Sequence, residues 1–185
     1  MSRLEITDIG LGIKKIGRTQ LSDSRGSFTR LFCANELSAV GWTESIAQSN
    51  WAESKDRGTV RGLHYQTAPF AEAKILLCMS GEIHDVAVDV RRGSNSLLHH
   101  VAINLSAERG EGILIPAGFA HGYQCLSVDV RVLYFHSGAY TPSAERGLNS
   151  LDPRLKIAWP LPVENRSNRD QNHPVLDEWF NGDQF

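Results

Sequence analysis

The run Glu82-Ile83-His84-Asp85-Val86-Ala87-Val88-Asp89-Val90 decides how the rest of the chain is read. Val86, Val88 and Val90 fall on one side of a period of two, and Asp85, Ala87 and Asp89 fall on the other. That is the pattern of a β-strand with one apolar face and one face turned to solvent or to a wet barrel interior. Outward from it, short β-rich runs alternate with Gly, Pro, Asn and Asp, predicting strands over 27–32, 46–51, 58–65, 74–80, 82–90, 99–105, 112–115, 121–125 and 131–136. Turns recur roughly every 8–12 residues, the spacing of an all-β sandwich or barrel. A barrel of about eight strands leaves room inside for one small ligand, so a polar interior is the place to look for chemistry. One short helix is predicted over 35–40, with Gly41 as its stop. Pro153, Pro160, Pro162 and Pro174 make the C-terminal stretch an irregular tail, and Trp159, Trp179 and Phe180 predict that it packs on the barrel.

With 185 residues and 41% hydrophobic content, the chain can bury a core without disulfides or metals, as one domain over 1–185. A net charge of −2 with mixed signs argues against a general nucleic-acid or membrane-surface binder, though a near-neutral total can still contain a cationic pocket. Cys33, Cys78 and Cys125 are odd in number and form no CxxC pair, which suits a reducing compartment. Met1-Ser2-Arg3-Leu4-Glu5 carries no secretory signal, and no apolar run approaches the ~18 residues of a membrane span. A cytoplasmic location is expected.

Three segments carry candidate chemistry: Arg61-Gly-Leu-His-Tyr-Gln66; Gly110-x5-Pro116-Ala-Gly118-Phe-Ala-His121-Gly122; and Val132-Leu-Tyr134 followed by Tyr140-Thr-Pro142 and Glu145. The second resembles the latter of the two cupin motifs, Gly-x5-Pro-x-Gly-x2-His, with Cys125 where Asn is usual. A metal-dependent cupin also needs a His-x-His pair and a carboxylate. None of the seven histidines forms that pair, and the adjacent His99 and His100 point to opposite faces of a strand. The chain therefore reads as a cupin without its metal.

Together these segments resemble the dTDP-4-dehydrorhamnose 3,5-epimerase family. The likeness runs in order from Arg25-Gly26-x-Phe28 through Gln48-x-Asn50, Arg61–Gln66, Lys74, Asp85–Ser94, Leu105–Glu108, Ile115–Gly122, Tyr134, Tyr140-x-Pro142, Asp152-Pro153 and Ile157–Pro160 to Asp170. The resemblance implies a cupin-type jelly-roll barrel working without a cofactor on a nucleotide-diphosphate sugar. His64 matches the family's base, Asp170 the carboxylate paired with it, and Tyr134 the proton donor. Lys74, Arg61 and His121 match residues around the sugar and diphosphate. Arg25, Phe28, Arg30, Gln48, Ser49, Asn50, Glu145 and Arg169 fall at further substrate positions, and Tyr140 matches an aromatic that stacks on the base. Members are homodimers that exchange strands, so N-terminal residues are expected to complete the neighbouring subunit's site.

The implied chemistry suits these side chains. A ketone at carbon 4 acidifies the protons on carbons 3 and 5, so inversion needs a base on one face and an acid on the other. Histidine titrates near neutrality, and a paired carboxylate orients it, positioned proton transfer contributing ~10²–10⁴ in rate. Tyrosine stays protonated at neutral pH and can donate. Lys74, with His121, would hold the oxyanion, a donor role of about 3–4 kcal/mol, and arginines suit the diphosphate.

The blander readings differ residue by residue. Without the motif set His64 is an ordinary strand histidine, Asp170 a solvated tail carboxylate with Asp85 as rival partner, Tyr134 a packing ring and Lys74 an edge charge. His84, His99, His100, His136 and His173 have no motif support and read as structural or surface. In a regular strand Arg61 faces away from His64, unless Gly62 kinks the chain. Arg30 stands where a glutamate is common, Ser49 where an aspartate is, Phe135 where a lysine is usual, and Arg169 replaces a common lysine. The first two bear on base preference rather than on reaction class. The competing functions are a keto-isomerase of the same fold, a non-catalytic sugar-nucleotide-binding cupin and, last, a metal dioxygenase.

Overall fold

Alternation fails in Lys74-Ile-Leu-Leu-Cys-Met-Ser80, where five successive residues are buried, so this strand is covered on both faces. A computed structural model describing residues 3–185 shows how. In chain order the strands are β1 (Leu4–Gly10), β2 (Ile13–Arg18), β3 (Gln20–Asp23), β4 (Gly26–Thr29), β5 (Gln48–Ser54), β6 (Val60–Gln66), β7 (Lys74–Ser80), β8 (Glu82–Asp89), β9 (His100–Ser106), β10 (Glu111–Ile115), β11 (Phe119–Cys125), β12 (Val130–His136) and β13 (Glu145–Gly147). Helix α1 is Ala34–Ser38 and α2 is Asn168–Gln171. A six-stranded sheet, β1-β2-β10-β7-β12-β5, faces a five-stranded one, β13-β6-β11-β8-β9, while β3 and β4 form a separate hairpin. Every pairing within the sheets is antiparallel. From β5 to β13 the chain changes sheet at every step except β8 to β9, giving a jelly-roll barrel.

Leu76, Cys78, Ile83, Ala87, Ile113, Phe119, Tyr123 and Val132 fill the space between the sheets. The outer face of the five-stranded sheet carries Val86, Val88 and Val90, covered by tail residues that include Leu155, Trp159 and Phe180. Ile75, Leu77 and Leu114, on the outer face of the other sheet, pack against Leu37 of α1 and Trp42. Three layers of apolar contact thus explain why the central strands lack a polar face. The aspartates of β8 turn inward: Asp85 and Asp89 are both fully buried. Cys78 and Cys125 are buried and unpaired. Among the described residues, no helix is long and apolar enough to cross a membrane.

The predicted strands are present with shifted ends, and three elements before residue 27 were not predicted. In β1 the alternation breaks at a register shift between Asp8 and Gly10, and β3 has four exposed residues, so neither shows a buried period-two face. Nor was β13 predicted, three residues being too few for a periodicity. The tail packs as expected through Trp159 and Phe180, but Trp179 is 79% exposed and lies outside that packing.

Candidate active site

The cleft has a volume of about 300 Å³ and takes walls from both sheets. From β6 come Arg61 and His64, which the parity of a regular strand would separate. The register against β11 slips here: His64 pairs with His121, and Arg61 with Tyr123, so three steps on β6 match two on β11. This is a β-bulge at Gly62, whose φ is +99°. A Cβ there would lie 2.5 Å from the His121 carbonyl oxygen, so only glycine fits. Gly62 therefore turns Arg61 and His64 to the same cleft, the kink that the sequence left open.

His64 is held from the tail. Ser167 caps the single turn of α2 by accepting from the Asp170 N–H at 3.1 Å. That turn delivers Asp170 Oδ1 to 2.7 Å from His64 Nε2, while Asp170 Oδ2 accepts from the Gly62 N–H at 3.2 Å. Burial pushes the Asp170 carboxyl up, but the His64 contact and the Gly62 and Ser167 bonds outweigh it and hold it below the usual carboxylate range. With Nε2–H donating to Asp170, the Nδ1 lone pair is left for a base's work. Asp85, the rival carboxylate, lies 2.8 Å from His121 Nε2 instead.

Tyr134 on β12 lies across the cleft, its ring edge-on to His121 at 6.2 Å and stacked on His136 at 5.6 Å. Burial, then the nearby Tyr123 and Asp85, raise its phenol well above the usual value, so it stays protonated. Lys74 lies inside the sheet rather than on an edge, which overturns the edge-charge reading. Its ammonium donates to the His64 carbonyl at 3.2 Å and sits 3.3 Å from Glu72. Burial acts to raise Glu72, but His136 and Lys74 prevail and keep it an anion.

Arg61 donates to Ser54 Oγ at 2.8 Å and to the Glu53 carbonyl at 2.7 Å while lining the cleft. At the mouth, Glu145 accepts from the Tyr140 hydroxyl at 2.7 Å and from Arg169 at 2.8 Å. Gln48 and Asn50, two apart on β5, face in together, and Gln48 Oε1 accepts from the Tyr140 N–H at 2.9 Å. Ser49 between them does not line the cleft. Nor do Arg25, Phe28 and Arg30. Arg25 pairs with Asp23 and is 88% exposed, Phe28 is 59% exposed, and Arg30 pairs with Glu36. A single chain therefore does not bring these four to its own site.

Two histidines read as structural or surface belong elsewhere. His136 lines the cleft, 3.4 Å from Glu72 and 3.3 Å from the Asn50 amide, and His173 packs its ring edge-on to His64 at 5.9 Å. Parity could have found His136, which is two residues beyond Tyr134 on one strand. No local pattern marks Glu72, which reaches the cleft from a loop. His64, Asp170 and His173 are the group among the described residues with metal-ligating spacing, their ligand atoms lying within 4.8 Å of one another. The Arg169 guanidinium, 3.2 Å from His64 Nε2, opposes a cation there.

A jelly-roll barrel whose cleft is lined by a His–carboxylate pair and a tyrosine belongs to the cupin class. The comparisons narrow the class. Residues 8–178 match the family model of dTDP-4-dehydrorhamnose 3,5-epimerase. The chain is 35% identical to the Shigella flexneri enzyme of that name over 99% of its length and 94% of the relative's. It is 37% identical to the Sinorhizobium fredii one, over 90% and 86%. Among solved structures, a Legionella pneumophila dTDP-6-deoxy-D-glucose-3,5-epimerase in complex with dTDP-4-keto-L-rhamnose superposes with a TM-score of 0.89 at 32% identity, covering 98% of each chain. A 3'-monoepimerase of Streptomyces bikiniensis in complex with dTDP-quinovose gives 0.81 at 36%, over 89% and 83%. The chain belongs to the dTDP-4-dehydrorhamnose 3,5-epimerase family and is an isomerase.

Proposed function

We propose that this enzyme inverts carbon 3, carbon 5 or both of a 4-keto-6-deoxyhexose carried on a nucleoside diphosphate, dTDP by the example of its relatives, in deoxysugar biosynthesis. The carrying observation is that His64, braced by Asp170, and the protonated Tyr134 open onto one cleft. His64 takes the proton beside the ketone, and the C–H electron pair moves into an enolate. The Lys74 ammonium and His121 hold the oxygen, which bears the charge. Tyr134 gives its proton to the opposite face of the carbon, and the enolate collapses to the inverted ketone. Arg61 and Arg169 suit the diphosphate, and the exposed Tyr140 ring suits a base.

In this reading residues 1–185 form one domain, and two copies pair. The β3–β4 hairpin, detached from both sheets and exposing Leu21 and Phe28, would place Arg25, Phe28 and Arg30 at the neighbour's cleft. β5 is a sheet edge with Trp51 exposed, the kind of edge that a second chain covers. Light scattering at a dimer mass, lost on Phe28→Ala, supports the arrangement, and a monomer at working concentration removes it.

The test incubates the enzyme in D₂O with 4-keto-6-deoxyhexoses on dTDP, CDP, GDP and UDP. Uptake of one or two deuterons, with NMR showing an inverted centre, is expected for the dTDP sugar. A product whose ketone has moved to carbon 3 would identify the keto-isomerase instead, and binding without exchange a non-catalytic protein.

A further inference from the structure

Behind Tyr134 lies a second phenol that the mechanism above does not use. Tyr123 on β11 is fully buried in the core between the sheets, in the cluster against which Tyr134 packs. Among the described residues its hydroxyl is buried without a hydrogen-bond partner. A phenylalanine of the same shape would avoid the cost of that unmet donor, so the oxygen calls for an explanation. The groups around it are the Ser54 hydroxyl, the Arg61 guanidinium and the Tyr134 phenol. Arg61 lies opposite Tyr123 across the β6–β11 pairing and donates to Ser54 Oγ at 2.8 Å. An idle donor therefore stands between the proton-donating tyrosine and a cation–hydroxyl pair.

We propose that Tyr123 is a positioning residue for proton donation: when Tyr134 gives up its proton, the Tyr123 hydroxyl donates to the Tyr134 oxygen and spreads the charge toward Ser54 and Arg61. The Tyr134 O–H bond breaks and its electron pair stays on oxygen, while the enolate pair forms the new C–H bond. The Tyr123 O–H bond remains intact. Solvent then returns a proton to Tyr134, and His64 releases the one it took. Burial raises both phenols, Tyr123 to about 12 with Ser54 and Arg61 drawing it back, and Tyr134 well above its usual value. The inference rests on the epimerase reading.

The experiment is a double-mutant cycle on the full chain with the dTDP-linked 4-keto sugar in D₂O, comparing wild type, Tyr123→Phe, Tyr134→Phe and the double variant. Tyr123→Phe should lower kcat for inversion about ten- to a hundredfold with KM within about twofold. Deuterium uptake, which begins at His64, should fall less than inversion does. On the Tyr134→Phe background the second change should alter the residual rate less than about twofold. Wild-type inversion by Tyr123→Phe, or an equal loss in both backgrounds, overturns the proposal, because a packing role would cost the same with or without Tyr134. If Tyr123→Phe does not fold, Ser54→Ala replaces it, with a three- to tenfold loss (roughly) expected only where Tyr134 is present. A wild type that inverts none of the four carried sugars sinks the epimerase reading and this inference with it. A working wild type beside an unaffected Tyr123→Phe sinks the inference alone.

Discussion

The barrel holds two histidine–carboxylate pairs of nearly the same length, His64–Asp170 at 2.7 Å and His121–Asp85 at 2.8 Å, and they differ in everything else. The His64 side chain is 27% exposed, and its carboxylate, carried by the tail, has both oxygens occupied by His64 and the Gly62 N–H. The His121 side chain is 4% exposed, its carboxylate belongs to an inner strand, and Asp85 Oδ1 has no partner. The first pair can trade protons with solvent, and the second is nearly sealed, with only His121 bordering the cleft. Distance alone does not make a base, because access and the state of the second oxygen decide what a pair can do.

That contrast can be broken most sharply at His64. His64→Ala should lower deuterium exchange at the sugar carbons by about 10³-fold or more, while the melting temperature stays within a few degrees. Exchange at the wild-type rate would move the base elsewhere. Asp85→Asn should act on stability instead, costing about 3 kcal/mol because it breaks a buried pair, a melting-temperature loss of roughly 6–12 °C. An unchanged melt would show that the nearly sealed pair is not structural. Asp170→Asn should lower kcat about 10²-fold with little change in KM. Because the Asp170 carboxyl is held below its ordinary value, its stabilising effect is present above about pH 4 and lost as pH falls through its folded value. The melting difference between wild type and Asp170→Asn should therefore close below about pH 4, and a difference constant down to pH 2 would contradict the pairing. The smallest effect is expected at the cleft wall: His136→Ala removes the ring stacked on Tyr134 and should raise KM about three- to tenfold. A change in kcat alone would put His136 in the chemistry.

The two pairs also mark how far the sequence could be read. The inward turn of Asp85 was legible as a choice between solvent and interior, since alternation fixes which residues share a face and not what that face meets. The central strands were legible because turn residues bracket them. The family resemblance singled out His64, Tyr134 and Asp170, but their convergence depends on a bulge and on a four-residue helix that no periodicity announces. Arg61 needed the bulge to reach the cleft, and one inserted residue reverses the facing of everything beyond it. Glu72 was invisible because loops carry no pattern. Arg25, Phe28 and Arg30 show another gap, for spacing along one chain does not say whose cleft a hairpin serves.

The position of Asp170 bears on the order in which the molecule becomes competent. The thirteen strands all precede the short turn at 168–171 in the chain, so the last element to be synthesised carries the carboxylate that meets His64. Only when the tail settles over Val86, Val88 and Val90 does the turn bring that anion to His64. The same tail that shelters the outer valines therefore also carries the carboxylate that meets His64, so the two contacts are made by one packing.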